Sequence, residues 1–316
     1  MSGSTKIGSQ KHSVAIHWFR NGLRFHDNPC FKDACEQSET LIPLYVIDPD
    51  APFAQTPGRR AGCIRANFIL ESMQDTDRKL REQSPSNSGS RMIVILGRPE
   101  EVLPKVIAAT SATALYYERE AAEPVRKADS GVLQAIRDRE TRESQAPAAN
   151  NPYHRKKKEM CTVHGYETHT LHPMERYLAK AKGGIAPSTY GGFTKIFQSM
   201  PVVKEVETVT RVPPLPEDVF EKLQKAFPSN TNHFGIPKLE QLGYEEDLQN
   251  DKLKNRKKGG IDFDGGEDHA LALLQYMMSR AKWVASFEKP KTSPNALTVD
   301  TTGLSPCTSY PIFLLF

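Results

Sequence analysis

From Val14 to Phe19 the chain reads VAIHWF, an apolar run that does not alternate with polar residues. A strand exposed on one face alternates; a continuous run of this length belongs to a strand buried on both. Similar runs follow at Leu41 to Ile47 (LIPLYVI), Met92 to Leu96 (MIVIL) and Ala114 to Tyr117. Between them lie stretches of helical periodicity. One runs from Arg59 to about Gln83, with Ile64, Phe68, Ile69, Met73 and Leu80 near one side, and another from Glu100 to Thr110. After the first strand, Asp27-Asn28-Pro29 opens a helix, with Asp27 as N-cap and proline close behind it. A further helix begins near Glu123-Pro124, and a last strand falls around Val163 to Leu171. Apolar strands alternating with helices over short connections predict a doubly wound α/β domain with a five-stranded parallel sheet. Ligands of such sheets bind beyond the carboxyl ends of the strands, here near Arg20, Asp48 and Glu118.

The remaining pattern is less regular. Residues 138–159 are polar, contain the run Arg155-Lys156-Lys157-Lys158, and read as a surface insertion. The basic run suits a solvated loop, with a nuclear import signal or a nucleic-acid contact as the sharper readings. Periodicity fades after His172-Pro173, apart from helical islands at Thr189 to Gln198 and Pro216 to Ala226. Tyr190, Phe193, Ile196 and Phe197 recur at helical spacing, which predicts a connector packed against the domains. A second basic tract, Lys252 to Lys258, reads as an exposed loop. Glu267 then opens the clearest helix, with Ala270, Leu273, Leu274, Met277, Met278, Ala281 and Val284 as its stripe. The expected organisation is a disordered start (1–12), the α/β domain (13–172), a connector (173–264) and the beginning of a helical domain (265–316).

Composition narrows this picture only slightly. With 38% hydrophobic and 25% charged residues in 316, the chain can bury a full core and has room for two domains. A net charge of +4 permits a polyanionic partner without requiring one. Five cysteines at irregular spacings, with no CxxC pair, argue against a disulfide scaffold or a zinc knuckle and for a reducing compartment. No apolar run approaches the length of a membrane span, and Met1 to Lys11 has no apolar signal core.

Candidate chemistry concentrates near the end. Lys289 and the run Thr301-Thr302-Gly303-Leu304-Ser305 bring together a cation, hydroxyl donors and bare backbone N–H groups, the kit that holds a phosphate. The same run alone also reads as a helix-initiating turn. Trp18 and His17 read as packed strand residues, not as an electron-transfer station and a catalyst.

Five motifs in order carry a resemblance: WFRNGLRFHDNP (18–29), THTLHP (168–173), FGIPKLEQLGY (234–244), GGEDHALALL (265–274) and FEKPKTSPNALTVDTTGLSP (287–306). Together the chain resembles the photolyase/cryptochrome flavoproteins, and the FEKPKTSPN phrase looks most like the six-four photolyase and animal-type cryptochrome branch. The resemblance implies an α/β domain that can hold an antenna chromophore, a folate or a deazaflavin, followed by a helical domain that holds FAD. It implies that Lys289, Thr301, Thr302, Gly303, Leu304 and Ser305 contact the FAD phosphates and ribityl chain. Partners implied for the full-length family are UV-damaged DNA, with the lesion flipped out of the duplex, or clock and transcription proteins. The implied location is intracellular, in nucleus, cytoplasm or both.

Two departures qualify what is carried over. Tyr117 to Pro124 is one residue longer than the family's acidic loop, so no antenna is assigned to its side chains. After Pro306 the family continues with a Tyr-Leu-Lys-Phe-Gly-like run, whereas here Cys307 to Phe316 has no counterpart. A truncated gene model, a read-through intron or a frame change would produce such a switch. The chain is therefore expected to be an amino-terminal fragment with no catalytic residue assigned. Resemblance to a DNA photolyase, a carbon–carbon lyase, leaves its own enzyme status open, and it is expected to lack repair activity alone. The alternative is a stand-alone α/β module that binds a chromophore or a partner.

Overall fold

The structure is a computed structural model, which describes residues 11–54, 59–85, 89–145, 160–230, 233–249 and 264–286. Five parallel strands, β1 (His12–Phe19), β2 (Ser38–Ile47), β3 (Ile93–Leu96), β4 (Ala114–Glu118) and β5 (Thr162–Tyr166), form one sheet in the order β3-β2-β1-β4-β5. This is the predicted doubly wound sheet. Central β1 aligns Ala15 with Leu41 of β2 and Ile16 with Leu115 of β4. Pro43, which has no N–H to donate, is tolerated inside β2 because β3 pairs only from Leu44 onward.

Helices α1 (Pro29–Glu36) and α2 (Cys63–Glu82) cover one face, and α3 (Pro99–Thr110) and α4 (Glu123–Gln145) the other. On the first face Phe31, Phe68, Ile69, Met73 and Leu80 are buried; Ile64, in the first turn of α2, is 48% exposed. The N-cap of α1 is Asn28, not Asp27. The Asn28 side chain accepts from Phe31 N at 2.9 Å, while Asp27 stands outside the helix at φ 46° and accepts from Val206 N at 2.8 Å. α4 runs to Gln145 and so takes in the start of the predicted insertion. Its polar end is laced by pairs at i,i+4, Gln134 to Asp138 at 2.7 Å and Arg139 to Glu143 at 2.8 Å, which sustain a helix without an apolar stripe. The basic runs 155–158 and 252–258 lie outside the described residues.

After β5 come α5 (Met174–Lys180), α6 (Tyr190–Gln198), α7 (Val219–Ala226) and α8 (Glu245–Gln249). The aromatic residues expected to fasten the connector do not do so. α6 packs on α5 through Tyr177 and Phe193, 5.4 Å apart, and buries no residue, leaving Tyr190 84% exposed. Val209, Val212, Leu215, Val219 and Leu223 anchor the connector instead, with Leu41 N donating to Pro214 O and Val212 N to Gln83 O. Helices α9 (Glu267–Ser279) and α10 (Ala281–Ala285) replace the single predicted helix, which breaks at Arg280. Of its stripe, Ala270 and Met277 are buried against the core, whereas Met278 and Val284 are exposed.

Candidate functional site

Strand order reverses between β1 and β4, since β2 and β3 lie to one side of β1 and β4 and β5 to the other. At such a switch point the loops leaving neighbouring strands part and open a crevice at the carboxyl edge. A cleft of about 560 Å³ lies there, within the range of small-molecule sites. Trp18, Tyr45 and Phe53 give it aromatic wall, and Arg20, Asp48 and Arg98 reach it from the ends of β1, β2 and β3. Trp18 is buried as expected, yet it also lines the cleft, stacked on Tyr117 at 5.8 Å with the Arg20 guanidinium 4.9 Å from its ring centre.

Arg20 is fully engaged. It pairs with Asp129 of α4 at 3.0 Å and donates to the Glu118 carbonyl at 3.1 Å. Burial pushes the Asp129 carboxyl up, against the pull of Arg20. Asn21 donates to Glu120 at 2.7 Å, and Arg98 pairs with Glu100 at 2.8 Å.

Below the cleft, Glu118 closes the sheet and does not face a ligand. It is 2% exposed, 3.4 Å from the equally buried Arg24 and 3.5 Å from His169 Nε2, and it accepts from the Thr168 hydroxyl. Burial alone would raise its pKa; Arg24, with help from His169 and Thr168, outweighs burial and holds it near 2. Gly22 is required beside it, because a Cβ there would stand 1.7 Å from Glu118 Oε2. His17 is a packed strand residue as expected, edge-on to Phe19 and Phe31, and burial lowers its pKa to about 4.

The start of α9 forms a second built junction, which sequence reasoning missed. Gly265 N donates to Glu71 at 2.8 Å, Gly266 N to Ser72 Oγ at 3.0 Å and Glu267 N to Asp75 at 2.8 Å, so α2 supplies the N-terminal cap of α9. Glu267 is 2% exposed, accepts from Phe25 N at 3.0 Å and His26 N at 2.5 Å, and pairs with Lys79 at 2.6 Å. A Cβ on Gly265 would lie 2.0 Å from Phe68 O, and Gly266 has φ 113°. The available signal was Gly265-Gly266 just before an acidic first turn, a pattern that marks close backbone approach.

Four of the five motifs thus have a physical role among the described residues. The 18–29 segment supplies Gly22, Arg24 and Asn28, 168–173 supplies the partners of Glu118, and 265–274 supplies the α9 junction. In 234–244, Phe234 O accepts from Val94 N, and Tyr244 donates to Ala61 O beneath the Arg60 guanidinium. Lys289, Thr301, Thr302, Gly303, Leu304 and Ser305 lie outside the described residues. Among the described residues no cluster of His, Cys, Asp or Glu is arranged to hold a metal, and no helix is long and apolar enough to cross a membrane.

A family model described as DNA photolyase matches residues 15–216. The chain is 31% identical over 301 residues to cryptochrome-1 of Spalax judaei, covering 92% of this chain and 42% of that protein. It is 32% identical over 311 residues to the (6-4)DNA photolyase of Arabidopsis thaliana, covering 93% and 46%. The chain therefore spans less than half the length of these curated relatives. Its fold is shared with a Synechocystis cryptochrome (TM-score 0.65, 18% identity, 97% of this chain and 54% of that one). It is also shared with a class III photolyase of Agrobacterium tumefaciens (TM-score 0.62, 18% identity, 97% and 52%).

Proposed function

The chain belongs to the DNA photolyase family, and from that premise we propose that it is the amino-terminal portion of a blue-light-absorbing photolyase/cryptochrome flavoprotein. The full-length protein would carry out light-driven, FAD-dependent repair of UV-damaged DNA, with six-four photoproducts as the lesion, or blue-light and circadian signalling through protein partners. Either role is intracellular, in nucleus or cytoplasm. The proposed organisation is an α/β antenna domain over 13–172, a connector over 173–264 and the start of the FAD-binding helical domain from 265.

The observation that carries this reading is the cleft at the switch point. Its aromatic wall and volume fit a planar chromophore, and a folate or a deazaflavin is the proposed antenna. For FAD, the donor set of Lys289, Thr301, Thr302 and Ser305 hydroxyls or ammonium, with the Gly303 and Leu304 amides, fits a diphosphate and ribityl chain. Bound FAD supplies the blue absorption and the electron for repair or signalling. Within this chain the phosphate run holds a minority of the contacts a dinucleotide needs, so the chain alone is proposed to lack repair activity.

The cleft is lined wholly by residues between 18 and 169, which favours a second reading, a stand-alone chromophore- or partner-binding module. Purified chain, titrated separately with FAD and with methenyl-tetrahydrofolate or a deazaflavin, tests both. Near-ultraviolet absorbance retained through gel filtration, without stoichiometric flavin, is the expected result. Stoichiometric FAD would overturn the fragment reading, and no retained chromophore of any kind would overturn the cleft assignment.

A further inference from the structure

We propose that the cleft selects a planar chromophore bearing no phosphate, and that it does so by charge. This rests on the reading of the cleft as a chromophore site. Of the five carboxylates that line it, Asp129 is paired with Arg20 at 3.0 Å and Glu100 with Arg98 at 2.8 Å. Asp48, Asp50 and Glu120 form no ion pair with a described cation. Asp48 accepts only from Asp50 N, at 3.0 Å, and Glu120 accepts from the neutral Asn21 amide. Both arginines are therefore committed while three negative charges remain, and a phosphate entering the cleft meets net repulsion.

The backbone offers no compensating anion seat. Nucleotide-binding sheets of this winding commonly hold phosphate on the free N–H groups of a helix that starts at the cleft. Here α1 begins with its cap closed by the Asn28 side chain and with Pro29 in the first turn. α3 begins with Pro99 and follows it with Glu100 and Glu101, which place negative charge where a phosphate would sit. Gly97 N, just ahead of α3, is bonded to Ile47 O at 2.9 Å. The aromatic wall of Trp18, Tyr45 and Phe53 remains available for stacking a ring system.

Riboflavin and FMN share one ring system and differ by a single phosphate, so together they isolate the charge. Binding to the purified full chain is read by flavin fluorescence quenching, with an Ala128→Trp variant to plug the cleft from α4. Riboflavin is expected to bind and FMN to bind about tenfold or more weakly, a gap that narrows as salt is raised. An Asp48→Asn/Glu120→Gln double variant should close the gap by strengthening FMN while leaving riboflavin within about twofold. Equal or tighter FMN binding that Ala128→Trp abolishes overturns the selectivity and leaves the chromophore site standing. If neither flavin binds in a manner sensitive to Ala128→Trp, the chromophore reading falls and the selectivity falls with it.

Discussion

Removing Arg24 should cost the fold more than removing Arg24 and Glu118 together. Both side chains are essentially inaccessible, at 0 and 2% exposure, and lie 3.4 Å apart. Arg24→Met leaves a carboxylate buried without its main countercharge, a change that costs about 3–5 kcal/mol against a total stability of about 5–15. An Arg24→Met/Glu118→Leu variant has no charge to strand, so it should recover a large part of that loss. The pH dependence provides an independent reading. Glu118 titrates near 4.5 when unfolded and near 2 when folded, so its contribution is complete above pH 4.5 and is lost as pH falls toward 2. The full difference is about 3 kcal/mol. Urea unfolding followed by the fluorescence of Trp18 and Trp283, at intervals between pH 7 and 2, measures both effects. Glu118→Gln should flatten the curve between pH 4.5 and 2. An unchanged slope in Glu118→Gln, or a double variant no more stable than Arg24→Met at pH 7, would refute the argument.

Three further outcomes are expected. His17 is held neutral by burial, with its pKa lowered to about 4, so its stabilisation is complete above pH 6.5 and is lost as pH falls through 4. His17→Phe should remove a slope of about 3 kcal/mol from that window in the same urea series. Gly265→Ala forces a methyl group against Phe68 O and should destabilise the α9 junction by about 2–3 kcal/mol, visible as faster hydrogen exchange in α9 with β1 and β4 unaffected. Glu267→Gln removes the charge that Lys79 faces and weakens acceptance from Phe25 N and His26 N. It should cost about 2–3 kcal/mol, and a double-mutant cycle with Lys79→Met should show coupling.

The strands were legible because β1, β2 and β4 are buried on both faces, and unbroken apolar runs encode little else. The ends of elements were less legible. Asp27 and Asn28 are equally good caps by type, and only the tertiary bond from Val206 N to Asp27 decides which one caps α1. Helical spacing at Tyr190, Phe193 and Phe197 foretold α6 correctly, but periodicity reports an apolar face and not what covers it. The position of the cleft followed from topology, so Arg20 and Asp48 fell where expected. Glu118 was expected nearby too, yet its role depends on Arg24, Thr168 and His169, far from it in sequence and joined only by folding. The α9 junction was hidden for the same reason: Glu71, Ser72 and Asp75 read as ordinary polar positions on α2 until Gly265 and Gly266 come against them.

The path of residues 206–215 has a consequence for how the chain is made on the ribosome. β1 emerges first but lies mid-sheet, and the backbone bonds from Leu41 to Pro214 and from Val212 to Gln83 arrive long after β5 is complete. A nascent chain halted at β5 would have every strand and still leave the buried positions of Val209, Val212 and Leu215 empty, with apolar surface open to water. The last residue of the family match, 216, falls just after this strap. For a growing chain, that is the point at which the sheet's seam is sealed and the hazard of aggregation drops, some fifty residues beyond its last strand.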